Sequence, residues 1–345
     1  MNRATLSMQN THAPVTPCGW LVAALLEAGV PLAEIEAWLG QRLPPDHRDR
    51  TVLPSEQYFR LFEWGAGVTA NPDLGIQIAA HLTSRDFGLL GYLLENSDSL
   101  GTWLHHLTTY NAVFSQDAEI SVMRAQGSVV VGYSPVPVAG FTPLQDIWSS
   151  IGMIVHAIRV ATRCDWYPAR CRFSTPCPAD TSALEALLGP ELHFDHKTNQ
   201  IELPVRDLDL AIPGADPVLL EILKRQADGI VATLRQQEEI VSRLRLMITA
   251  HLAEGGFDTV RAARALNMSV RKLHRTLAER GTSFRNLRNE VLGETARAHL
   301  ADPGIQITEI AHRLGFSETS AFTRAFKALE GMTPRDFRAR SLGKT

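Results

Sequence analysis

The feature that most constrains this chain is that its last third is written twice. "AARALNMSVRKLHRTLAERG", residues 262–281, is followed by "IAHRLGFSETSAFTRAFKALEG", residues 310–331. In the first copy Ala263, Leu266, Asn267 and Met268 lead to Leu273, Arg275 and Leu277; in the second, Ala311, Leu314, Gly315 and Phe316 lead to Phe322, Arg324 and Phe326. The offset is 48 residues before the turn and 49 after it, so the second copy carries one more turn residue. Apolar residues three and four apart require helices on both sides of each turn. Ala263 or Ala311 lets those helices cross closely, and Asn267 and Gly315 tolerate the left-handed backbone of a sharp turn. Ser269 and the Ser317-Glu318 pair stand where N-caps belong. Each copy is expected to be a helix-turn-helix, over 258–280 and 305–328.

Thr282–Ala301 joins the copies as one amphipathic stretch, with Phe284, Leu287, Val291 and Leu300 inward. Twenty helical residues measure about 30 Å, close to the roughly 34 Å between successive major-groove faces of a DNA duplex. Charge supports that comparison. From Ile240 onward there are 18 Lys and Arg against 10 Asp and Glu, a balance of +8, and the chain total of −3 leaves −11 for residues 1–239. A basic tail on an acidic body points to a polyanionic partner, double-stranded DNA.

A chain of 345 residues exceeds the usual size of one core, so two domains are expected. Residues 1–15 are polar and patternless and read as a disordered tail. Helical periodicity covers Trp20–Ala28, Leu32–Leu39, Ser55–Thr69, Leu74–Ala80, Leu100–Ala112 and Pro143–Cys164. Residues 119–134 alternate around Gln126-Gly127 as a hairpin, and Arg170–Pro176 and Glu191–Leu203 suggest short strands. The fold class is an α+β N-terminal domain, over 16–234, joined to an all-α C-terminal domain over 240–340. Arg235–Glu239 is the expected linker. The N-terminus lacks a basic-then-apolar secretory pattern and Trp20–Val30 is too short to span a bilayer, so the expectation is a cytoplasmic protein with no membrane partner.

The tail resembles the AraC/XylS family of transcription regulators through Ile310-Ala311, Gly315-Phe316, Phe322, Arg324, Phe326-Lys327, Gly331, Thr333-Pro334 and Phe337-Arg338. The body more weakly resembles the arabinose-binding-type N-terminal domain of the ornithine-utilisation-regulator subgroup, through "PDLGIQIA", "FGLLGYLLENSDSLGTWLHHLTTY" and "ADPVLLEIL". Asn267 departs from the usual glycine of the first turn, Leu329 from a common tryptophan, and Leu292-Gly293 from a normally basic part of the connecting helix. Gly293 should cost that helix about 1 kcal/mol relative to alanine.

The resemblance implies that outward residues of the two second helices meet DNA. In the first copy these are Arg271, Lys272, His274 and Arg275, with Ser269 near a phosphate; in the second, Thr319, Ser320, Thr323 and Arg324. Arg275 and Arg324 are assigned to base edges, where a guanidinium bonds guanine O6 and N7 together. Lys272, Lys327 and Arg338 are assigned to the backbone. The resemblance further implies a small-molecule effector on the N-terminal domain, a homodimer and, for an activator, RNA polymerase as a partner.

Catalytic patterns are absent from the sequence: it contains no G-x-S-x-G, H-E-x-x-H, phosphate loop or dinucleotide fingerprint. Cys18, Cys164, Cys171 and Cys177 form no C-x-x-C pair, and Cys164, Cys171 and Cys177 with His193 or His196 are too irregular for zinc, so no metal or cofactor is expected. Trp64, Phe87, Tyr92, Trp103, Phe114, Trp148 and Trp166 could line an apolar pocket or serve as core, and no pocket residue is assigned. Two alternatives stay open: a constitutive dimeric DNA-binding regulator without effector, and a cysteine-dependent enzyme fused to a DNA-binding domain.

Overall fold

The computed structural model describes residues 15–44, 51–253 and 257–342. Backbone contacts divide the chain between Ala232 and Thr233 into two units. The first opens with strand β1 (Val15–Pro17), paired antiparallel with β2 (Val52–Pro54), and helices α1 (Gly19–Glu27) and α2 (Leu32–Leu39) between them. Val15, assigned to the disordered tail from sequence, is therefore a strand residue; the rest of that tail lies outside the described residues. Four helices follow: α3 (Ser55–Val68), α4 (Leu74–Ala79), α5 (Gly88–Glu95) and α6 (Leu100–Phe114). α5 has no counterpart among the expected helices, because "GLLGYLLE" is apolar nearly throughout and shows no helical period.

The hairpin β3 (Ala118–Ala125) and β4 (Ser128–Pro135) turns at Gln126-Gly127, where Gly127 takes φ +76°. Helix α7 (Leu144–Thr162) comes next, then β5 (Arg170–Arg172), α8 (Ser182–Leu188), β6 (Leu192–His193) and β7 (Asn199–Pro204). The five strands order as β3-β4-β7-β5-β6, antiparallel except for β5 beside β6. Two apolar clusters fill this unit. One packs α5, α6 and α7 on the sheet through Leu90, Trp103, Val131, Ile151, Val155 and Ile201. The other gathers α1 to α4 around Trp20, Tyr58, Phe59 and Phe62.

Helix α9 (Pro217–Ala250) contains the boundary, and the expected linker Arg235–Glu239 lies inside it. The reason is compositional: arginine, glutamine and glutamate are strong helix formers, and charge without glycine or proline does not break a helix. The C-terminal unit continues with α10 (Thr259–Ala265), α11 (Val270–Glu279), α12 (Phe284–Ala301), α13 (Ile307–Arg313), α14 (Thr319–Glu330) and α15 (Pro334–Leu342). One core joins them: Leu244, Ile248 and Leu252 of α9 and its end, Leu273 and Leu277 of α11, Leu287 and Val291 of α12, and Phe322 and Phe326 of α14. Among the described residues, no helix is long and apolar enough to cross a membrane.

Candidate nucleic-acid interface and ligand cavity

The two copies close with the same hydrogen bonds. Asn267 N–H donates to Arg264 O at 3.0 Å and Met268 N–H to Ala263 O at 2.9 Å; Gly315 N–H donates to His312 O at 3.0 Å and Phe316 N–H to Ala311 O at 3.0 Å. Asn267 and Gly315 hold φ of +53° and +79°. These are helix C-terminal turns that require a left-handed residue. Gly315 is also sterically required, since a Cβ there would lie 2.2 Å from Leu252 O. The next helices start differently. Ser269 Oγ accepts from Lys272 N–H at 3.2 Å and caps α11. Glu318, the N-cap of α14, makes no such bond; its carboxylate accepts from Ser320 Oγ at 2.9 Å instead.

On α11, Leu273, Thr276 and Leu277 are buried while Ser269, Arg271, Lys272, His274 and Arg275 are exposed. On α14, Phe322 and Phe326 are buried, Ser320, Arg324 and Lys327 are exposed, and Thr319 and Thr323 are half-buried. Thr323 Oγ1 donates to Thr319 O at 2.8 Å, which leaves its oxygen only an acceptor role. Among the described residues, Arg271, Lys272, Arg324 and Lys327 hold no intramolecular ion pair, whereas Arg275 lies 3.6 Å from Glu279 one turn on. Both partners of that pair are largely exposed, so it is easily exchanged for another anion.

Arg338 stands apart from this set. Its Nε donates to Leu300 O at 3.2 Å and its Nη2 to Ile305 O at 2.8 Å, so the guanidinium satisfies carbonyls at the end of α12 and in the loop beyond. The connecting helix is anchored by Arg245, which pairs with Glu290 at 3.0 Å and with Glu294, and by the Arg297–Glu330 pair. A Cβ on Gly293 would lie 3.2 Å from Glu330 Oε1, so the glycine makes room for that second pair. α12 has 18 residues, about 27 Å at about 1.5 Å each. Two further cations escaped sequence reasoning. Arg285 and Arg288, one helical turn apart on α12, line a groove with Thr259, Gly315, Phe316 and Ala325. The arginines of "RNLRNE" at i and i+3 were the available signal.

The N-terminal unit holds a cavity where its two apolar clusters meet. Trp20 and Tyr58 from one, and Leu90, Trp103, Leu107 and Tyr133 from the other, form part of its wall. Its space is about 90 Å³ for the centre of a water-sized sphere, several times the roughly 10–15 Å³ that one water needs. Of the seven aromatic residues singled out from sequence, Phe87, Trp103 and Phe114 line it. Trp64 packs on Trp38, Tyr92 is exposed, and the indoles of Trp148 and Trp166 donate to Thr175 and Asp207.

Two buried carboxylates also line the cavity. Asp146 accepts from Tyr58 Oη at 2.9 Å and from Tyr133 Oη at 2.7 Å. Asp117 accepts from Thr16 Oγ1 at 2.9 Å and from Ser115 Oγ. Burial, followed by the Asp117 charge, pushes Asp146 up to about 8, and burial also raises Asp117. Sequence reasoning missed both, because Asp146 sits in a helix whose period was carried by isoleucine and valine.

Comparison with known proteins meets this geometry on both units. The family model described as the arabinose-binding domain of AraC transcription regulator, N-term, matches residues 35–212, and a helix-turn-helix domain model matches 262–340. The chain belongs to the AraC family of transcription regulators. It is thus a DNA-binding transcription regulator with an N-terminal domain of ligand-binding type. The regulator is 26% identical to the ornithine utilization regulator of Pseudomonas aeruginosa, over 77% of this chain and 78% of that one. It is 27% identical to the HTH-type transcriptional regulator VirS of Mycobacterium tuberculosis, over 86% and 88%. Among solved structures, the transcriptional regulator CdpR of Pseudomonas aeruginosa aligns over 93% of this chain and 98% of that chain, with 22% identity and a TM-score of 0.46.

Proposed function

We infer that the regulator binds a specific operator by placing α11 and α14 in successive major grooves on one side of the duplex. The observation that carries this reading is the repeated turn: two helices with matching turn hydrogen bonds, each presenting exposed cations, share one core with the α12 strut. Arg324 and Arg275 read base edges, with Arg271, His274, Ser320 and the acceptor oxygen of Thr323 beside them. Lys272, Lys327, Ser269 and Thr319 meet phosphates, and Arg285 and Arg288 add positive charge on the strut between the copies. Arg338 is left out, because its Nε and Nη2 donate to carbonyls of its own unit.

The N-terminal unit controls this binding by taking a small effector in its cavity and by forming a homodimer. Effector binding shifts the balance between DNA-competent and incompetent states, and the output is activation through RNA polymerase. The cavity favours this over a constitutive regulator. For Cys18 and Cys171 the cysteine-enzyme alternative has less support, since burial pushes their thiols up to about 12, the opposite of an activated nucleophile.

The deciding experiment selects the operator from a random duplex library and titrates wild type and Arg324→Ala against it. Arg324→Ala should weaken operator binding by about 1–3 kcal/mol and relax preference at one base pair. Unchanged affinity and preference would remove Arg324 from the interface. Equal binding of specific and random duplexes by wild type would remove the operator reading altogether.

A further inference from the structure

The polar groups of the N-terminal cavity are unbalanced in one direction. Asp117 and Asp146 are 7% and 1% exposed, and both line the cavity. Among the described residues neither has an ion-pair partner, and no lysine, arginine or histidine lines the cavity. What faces the carboxylates is hydroxyl: Tyr58 and Tyr133 on Asp146, Thr16 and Ser115 on Asp117. Glu63, itself raised by burial, is a third carboxyl whose charge raises Asp146 further. An apolar cavity concentrating carboxylates without a counter-charge is unfavourable when empty, and a bound cation relieves it.

A second group in the same wall is unsatisfied. Trp20 is 6% exposed, lines the cavity, and its Nε1 has no hydrogen-bond partner among the described residues. Its ring is held edge-on to Tyr58 and Phe62, at 6.1 and 5.7 Å between centroids. An indole N–H buried without an acceptor is rare, and this one belongs to a residue of the cavity wall. Trp103, Phe87 and Phe114 complete an aromatic wall suited to an apolar body or to the face of a cation.

We propose that this cavity takes a small organic cation: an amine on a short apolar body, its ammonium against Asp146 and Asp117 and a hydrogen-bond acceptor of the same molecule against Trp20 Nε1. The assignment rests on the N-terminal unit being the effector domain and names the chemistry of that effector. It carries a proton signature. In the empty protein Asp146, surrounded by Asp117, Glu63, Tyr58 and Tyr133 and pushed up to about 8, holds its proton at neutral pH. The ammonium expels that proton, so affinity rises about tenfold between pH 6 and pH 7.

The full chain is titrated by calorimetry and thermal shift with pentylamine, 1-pentanol and pentanoate, which share a skeleton and differ in head group, and with 5-amino-1-pentanol, which adds an acceptor. The amines should bind at least tenfold more tightly than pentanol, with pentanoate weakest and proton release measurable between buffers of different ionisation enthalpy. Asp146→Asn and Asp117→Asn should each cost the amines at least tenfold and leave pentanol within twofold. Either one serves if the other fails to fold. Trp20→Phe should remove the advantage of 5-amino-1-pentanol over pentylamine. Ala157→Phe, which fills the cavity, should abolish binding of every probe. If pentanol or pentanoate matches the amines, indifferent to Asp146→Asn yet lost in Ala157→Phe, the cation assignment falls and the effector cavity stands. If no probe binds, or Ala157→Phe leaves binding unchanged, both fall together.

Discussion

Gly315→Ala tests the geometry of the second turn most sharply, because a matched control exists in the same unit. Gly315 and Gly331 hold similar left-handed φ, +79° and +73°. Alanine in that region costs about 1–2 kcal/mol at either position. The neighbours differ. At Gly331 a Cβ meets none of the described residues within 4 Å, whereas at Gly315 it would lie 2.2 Å from Leu252 O and 3.3 Å from Ala253 O, both backbone. Relieving that contact requires the segment after α9 to move by about an ångström, an overpacking cost of about 1–3 kcal/mol. Gly331→Ala should therefore lose about 1–2 kcal/mol and Gly315→Ala about 2–5 kcal/mol.

The assay is urea denaturation of the full chain with two probes. All six tryptophans lie at or before Trp166, so their fluorescence reports only the N-terminal unit, while far-UV circular dichroism reports helix in both. Each variant should shift a dichroism transition and leave the tryptophan transition in place. A Gly315→Ala loss within about 0.5 kcal/mol of the Gly331→Ala loss, below the smallest overpacking cost, would refute the close packing of the turn on the end of α9.

Other outcomes follow from the same contacts. Asp146 has a folded pKa above its unfolded value, so its contribution is present at low pH and is lost as pH rises through about 8. The effector-free N-terminal unit should thus lose about 2 kcal/mol between pH 6 and pH 8, and Asp146→Asn should flatten that slope in tryptophan-monitored unfolding. Arg338→Ala should destabilise the C-terminal unit by about 1–3 kcal/mol without changing the salt dependence of operator binding. A salt slope reduced by about one would return Arg338 to the phosphate contacts. With a thiol reagent under native conditions, exposed Cys164 and Cys177 should react quickly and buried Cys18 and Cys171 only on unfolding. Fast labelling of all four would contradict the packing around β1 and β5.

What the sequence determined by itself was everything held by contacts a few residues apart. Helical period, the left-handed demand at Asn267 and Gly315, and the Ser269 cap are local rules, so both turns and the exposed faces of α11 and α14 were legible before any coordinates. The hairpin at Gln126-Gly127 was legible for the same reason. Local rules did not show everything: the charged stretch Arg235–Glu239, expected as a linker, is helical and begins two residues past the unit boundary, and Arg338, expected at the DNA backbone, also reaches acceptors at Leu300 and Ile305, 38 and 33 residues away. Only the tertiary structure decided the cavity. Thr16 meets Asp117 across 101 residues and Tyr58 meets Asp146 across 88, and no periodicity within one element encodes such encounters. Burial then changed what those side chains are, turning two ordinary aspartates into carboxylates in an apolar space without a counter-ion.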